Sequence, residues 1–136
     1  MSTGSYIGKQ NQDGSINYVY CHNDSYISGG VGETLFLFYK DEKKIDELLK
    51  LGDLSYVGKT TNSEDTCAYS RDMGEDLFTR EAAKTIEDFG RRANDNVFID
   101  YVYLFKDGEW IVWKWEDKHY IAENIIISTL ETEFAS

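Results

Sequence analysis

Val97-Phe98-Ile99-Asp100-Tyr101-Val102-Tyr103-Leu104-Phe105, then Lys106-Asp107-Gly108-Glu109, then Trp110-Ile111-Val112-Trp113-Lys114-Trp115, is the stretch that decides the fold. β-Branched and aromatic residues fill both arms, and Asp-Gly at the corner suits a two-residue turn whose residues take positive φ. Pairing Lys106 with Glu109 sets Phe105 opposite Trp110, Leu104 opposite Ile111 and Val102 opposite Trp113, so aromatic side chains project from both faces. One face can cover a core. The other must meet a helix, a partner or a ligand.

A second hairpin is predicted near the start, with Ser5–Gln10 and Ser15–His22 flanking Asn11-Gln12-Asp13-Gly14, where Asp-Gly again reads as a two-residue turn. Strand alternation puts Tyr18, Tyr20 and His22 on one face and Val19, Cys21 and Asn23 on the other. Glu33–Lys40 is apolar and follows the turn Gly29-Gly30-Val31-Gly32, which favours a helix. Asp41 reads as the N-cap of a helix through Leu51, with Ile45, Leu48 and Leu49 at helical spacing and Gly52 as the stop. Lys59–Asp65 reads as a loop and Cys67–Ser70 as a short strand. Thr79 is placed to cap a helix from Arg80 to about Ala93, lined by Ala82, Ile86 and Phe89. The tail from Ile121 to Phe134 has helical spacing, although Ile125-Ile126-Ile127 suits a strand equally. The expected fold is α+β: an antiparallel sheet built from two β-hairpins, about 5–22 and 97–115, plus a short strand, with three to four helices packed on one side. One domain, 1–136, is expected.

The formal net charge of −11 lies almost entirely beyond residue 32, because residues 1–32 carry only Lys9, Asp13 and Asp24 as charges. Such a surface repels phosphate backbones, so a basic partner protein is expected rather than nucleic acid. Simple solubility explains the same charge. Two cysteines, Cys21 and Cys67, and the lack of a long apolar run point to a reducing cytoplasm and to no membrane segment. Proline is absent, so turns must be set by Gly, Asn, Asp and Ser.

Four groups of residues carry possible chemistry. His22 and Asp24, spaced as strand neighbours on one face beside Tyr20 and Tyr26, can make a base or ligand pair, or merely a hydrogen-bonded histidine at a strand end. Gly29–Gly32 ahead of a helix has the look of a phosphate cradle, but no lysine follows and Glu33 occupies the place of the anion. Arg71-Asp72 with Glu75 offers a guanidinium clamp, or an internal pair that holds a turn. Trp110 and the abundant tyrosines suit an interface or the core. Paired acids at 41–42, 46–47, 64–65, 75–76, 87–88 and 116–117 can imitate a duplex if they share a surface, and only solvate the chain if they do not. No catalytic set, metal site or cofactor is expected.

The chain resembles a group of small proteins encoded by phages, prophages and plasmids. The matching residues are Ser2-Thr3, Ile7-Gly8, Tyr20, His22, Asp24, Tyr26, Gly32 and Leu35, then Leu51-Gly52-Asp53-Leu54-Ser55, Arg71-Asp72, Gly74-Glu75, Tyr103-Leu104-Phe105, Asp107-Gly108 and Trp110. Ser25 stands where that group has glycine, and the spacing around Gly29-Gly30 differs. The resemblance implies a mobile-element origin and no reaction. The expected function is that of an acidic accessory protein that binds and inhibits a host factor, such as a defence nuclease of the CRISPR effector kind. Tyr20, His22, Asp24, Tyr26, Arg71, Asp72, Glu75 and Trp110 are its candidate binding residues. The alternative is a domain that binds or hydrolyses a nucleotide at His22, Asp24 and the glycine-rich turn. The oligomeric state is left open.

Overall fold

The computed structural model describes residues 3–115 and 125–135. In chain order the elements are β1 (Gly4–Gln10), β2 (Ile16–Cys21), α1 (Val31–Phe38), α2 (Glu42–Lys50), β3 (Leu54–Tyr56), β4 (Cys67–Ala68), α3 (Tyr69–Met73), α4 (Ile86–Asn94), β5 (Ile99–Lys106), β6 (Glu109–Trp115), β7 (Ile125–Thr129) and α5 (Leu130–Phe134). All seven strands form one sheet in the order β4-β3-β2-β1-β5-β6-β7. The acidic pair at 116–117 and the start of the 121–134 pattern lie outside the described residues. Within that pattern the strand reading holds for β7, and a short helix follows it.

Both hairpins form. Asp107 and Gly108 take φ of 52° and 82°, and the register Lys106↔Glu109, Phe105↔Trp110, Leu104↔Ile111 and Val102↔Trp113 is the one the residues predict. The first hairpin differs at its tip. Its last pair is Gln10↔Ile16, and the Gly14 N–H donates to the Asn11 carbonyl at 3.0 Å, which makes a longer turn with only Gly14 at positive φ. Asp13 accepts from the Ser15 N–H and hydroxyl at 2.9 and 2.6 Å, a local bond that holds it out of the left-handed region.

The sheet is mixed rather than antiparallel. β1 pairs in parallel with β5, and β2 in parallel with β3 at Cys21↔Leu54. Two adjacent hairpins can join through strands of either relative sense, and side-chain alternation is the same for both.

Helices also cover both faces, not one. On the first face Ile7, Val19, Cys21, Tyr103, Phe105, Trp110 and Val112 pack with Val31 and Leu35 of α1, Ile45 and Leu48 of α2, and Leu130. On the second, Tyr6, Tyr18, Val102, Leu104 and Trp113 pack under Phe89 and Ala93 of α4. Aromatic residues on both sides of the β5–β6 hairpin require this arrangement, because neither row can be left in water.

Asp41 caps α2, its side chain accepting from the Lys43 N–H, and Gly52 follows the helix at φ 78°. The helix expected from Arg80 instead begins after Thr85. Thr85 accepts from the Asp88 N–H at 3.0 Å while Asp88 accepts from the Lys84 N–H at 3.3 Å, a reciprocal cap that Thr79 lacks because Ala82 stands three residues on. Upstream, Ala83 exchanges both backbone hydrogen bonds with Ile16, an isolated bridge to β2 that keeps this part of the chain out of the helix.

Phe89 is fully buried, with its ring centroid 5.0 Å from Tyr18, 5.8 Å from Trp113 and 6.1 Å from Tyr6. Phe89→Ala should cost about 3–5 kcal/mol in urea unfolding, and Thr85→Ala about 1 kcal/mol. A loss for Phe89→Ala no larger than that of the cap would mean that α4 does not seal this face.

Candidate functional site

The residues singled out from the sequence gather largely at one end of the sheet, where β2 stops and β3 begins. The Tyr20 hydroxyl lies 2.7 Å from His22 Nδ1, with the rings edge to face at 5.7 Å. They meet because residues i and i+2 of a strand share a face. Burial pushes the Tyr20 phenol up, and nearby Tyr69, Cys21, Asp100 and Asp53 add to the effect. Cys21 points to the opposite face, where burial raises its thiol to about 12 and leaves it a packing residue.

Asp53, just ahead of β3, ties this end together. Its carboxylate accepts from the Tyr20 backbone N–H at 3.0 Å and from Arg80 Nε and Nη2 at 3.1 and 2.8 Å. The Arg80 guanidinium in turn lies 4.9 Å from the Phe78 ring centroid. The fork is bidentate and partly buried, the geometry in which an arginine pair holds its shape. Asp53 lies in the Leu51–Ser55 motif, whereas Arg80 reads from sequence as the start of a helix.

Arg71 is engaged inside the fold. It pairs with Asp72 through Nε and Nη2 at 2.9 Å each, while Nη2 also donates to the Thr66 carbonyl and Nη1 to the Thr61 carbonyl, which anchors the loop before β4. Arg71 hydrogen bonds, and a further bond from the Ala68 N–H at 2.8 Å, hold the Asp72 carboxyl far below the usual range. Neither His22 nor Arg71 lines the recess beside Asp53. Glu75 is exposed, and it faces a recess of about 90 Å³ with Asp53, Tyr69, Asp76 and Phe78.

Asp24 is exposed at φ 56°, and its carbonyl accepts from the Val31 N–H at 2.8 Å. The Gly32 N–H goes to the Tyr26 carbonyl at 3.0 Å. The first amides of α1 are thus satisfied by the chain itself. The glycines serve that close approach, since a Cβ on Gly30 would collide with the Asp24 carbonyl. Tyr26 is 48% exposed beside this turn. Trp110 lies in the core, where its Nε1–H donates to the Tyr39 carbonyl at 2.8 Å.

Other exposed apolar residues lie at Leu37 and Phe38, at Val97 and Phe98, and at Ile126 and Ile127, and three more share one acidic segment. Every residue from Arg71 to Thr79 is exposed, among them Met73 at 56%, Leu77 at 57% and Phe78 at 59%. Glu75 and Asp76 lie between Met73 and the Leu77-Phe78 pair, while the Asp72 carboxylate is turned in to Arg71. Among the described residues no three metal-ligating side chains converge, and no helix is long and apolar enough to cross a membrane. No protein-family model matches the chain, and no curated protein or solved structure matches it either.

The Arg71–Asp72 pair has a readable pH signature. A carboxylate whose folded pKa is depressed stabilises the fold above its unfolded value of about 3.9, and that stability is lost as pH falls further. In carboxyl-detected NMR, Asp72 should stay ionised below the range of the other aspartates, and Arg71→Met should raise it. Asp72→Asn should flatten the loss of stability below about pH 4. An Asp72 titrating at the ordinary value would contradict the clamp.

Proposed function

We propose that the protein is a non-catalytic accessory protein that engages a basic macromolecular partner through the exposed segment Arg71–Thr79. The single observation that supports this is the composition of that surface: three large apolar side chains, each more than half exposed, set among carboxylates with no regular structure after Met73. Loops held by a rigid scaffold are where binding residues concentrate. Apolar anchors supply affinity, and surrounding carboxylates select a basic partner and speed the encounter. The resemblance to mobile-element proteins makes a host factor the class of partner, with a defence nuclease such as a CRISPR effector the foremost example. Inhibition would follow from occupying a basic surface needed for nucleic acid.

This reading rests on one segment rather than on a duplex-like array of acids. Several acids are neutralised within the fold, as in the Asp46–Lys9, Asp53–Arg80, Asp88–Arg92 and Glu133–Lys114 pairs.

Affinity capture from a bacterial lysate, read by quantitative mass spectrometry, tests the reading. A basic protein retained by the wild type should be lost at least about tenfold with Met73→Ser/Leu77→Ser and with Glu75→Lys/Asp76→Lys, a change of about 1.4 kcal/mol. Rising salt should weaken its capture. These positions are exposed, so thermal stability should change little. Equal capture by the wild type and both double variants would overturn the assignment.

A further inference from the structure

Beside this segment, the outer edge of β2 is incompletely covered. Residues along an antiparallel strand alternate in the side to which their N–H and C=O point. Ile16 faces away from β1, exchanging both bonds with Ala83, and Tyr20 faces away too, its N–H donating to Asp53. Tyr18, midway between them and paired with Gly8, must also turn its N–H and C=O outward. Neither group meets a protein partner among the described residues. Tyr18 is only 8% exposed, and unpaired backbone groups at so buried a residue are costly. The edge is closed below by Ala83 and above by β3, which leaves a gap one residue long.

That gap opens on a groove of about 300 Å³ between β2, the end of α2 and the 77–80 segment. Its volume is at the lower limit of small-molecule sites. Closed ends make it too short for an added strand. Lys50 lines it and has no ion-pair partner among the described residues, whereas Lys9 is held by Asp46 and Glu42, and Arg80 by Asp53. Phe78 forms an exposed aromatic wall.

We propose that this groove binds a small anion with a planar donor–acceptor edge, of which a nucleoside monophosphate is the fitting class. The base edge pairs with the Tyr18 N–H and C=O, the ring stacks on Phe78, and the phosphate meets Lys50. Stacking on one aromatic and one unspent cation make the binding modest. The site lies away from the Gly29–Gly32 turn, where the Val31 and Gly32 amides are already used, and it does not depend on the macromolecular partner.

Titration of the ¹⁵N-labelled protein with AMP, GMP, CMP and UMP, with inorganic phosphate as a parallel probe, tests the site. At least one nucleotide should saturate, with an affinity between about 10 μM and about 1 mM, and should shift the Tyr18 amide most. Lys50→Gln and Phe78→Ala, both at exposed positions, should each weaken it about fivefold or more, and Met73→Ser, outside the groove lining, should not. Three outcomes would overturn the proposal: no saturation by any of the four up to about 10 mM, equal shifts with phosphate alone, or unchanged binding in both groove variants.

Discussion

The parallel pairing of β1 with β5 is the contact on which the rest of the molecule depends. It joins two hairpins that are far apart in sequence, in register from Ser5↔Tyr101 to Lys9↔Phe105. A single hairpin cannot bury both of its faces and is marginal alone. Joined, they make β1 an interior strand that sends Tyr6 to one core and Ile7 to the other. Helices must then close both sides. β2 is left on the shoulder of the sheet, where only short strands and irregular chain remain to cover its outer edge.

Much of this was legible in local patterns. Asp107-Gly108 specified a turn and a register to the residue, and Asp41 with Ile45 and Leu48 specified a capped helix. Face assignment along β2 also followed from alternation alone, which is why Tyr20 and His22 meet. What stayed hidden was relational. Alternation says which face a residue occupies and not which strand lies beside it, so the parallel joint left no local mark. Helix α4 was misplaced because Thr79 and Thr85 both look like caps, and the arbiter was the acid three residues after Thr85. Trp110 illustrates a similar ambiguity, since a tryptophan that suits an interface suits a core equally well until its N–H partner, the Tyr39 carbonyl, is known.

The candidate site was legible in part for the same reason. Residues on one strand, Tyr20 and His22, could be grouped from sequence, whereas Asp53 and Arg80 needed the fold to bring them to the Tyr20 amide. Arg71 and Asp72 came out as an internal clamp, and the clamp matters because it fixes the start of the exposed segment. From there to Ala83 the chain has no regular structure, held at one end by α3 and at the other by its two bonds to Ile16. A tethered, acidic, apolar-tipped segment and an open strand edge beneath it are therefore two consequences of one arrangement. The two proposals place a large partner on the segment and a small ligand at the edge.

The arrangement requires that the outer edge of β2 be open at Tyr18, and amide hydrogen exchange measures this directly. In the free protein Ile16 and Tyr20, bonded outward, and Asn17 and Val19, facing β1, should exchange slowly. Tyr18 between them should exchange faster by at least about two orders of magnitude, because its N–H has no structural bond that must first open. Protection of Tyr18 equal to that of its four neighbours would show that the edge is covered, and would contradict the account.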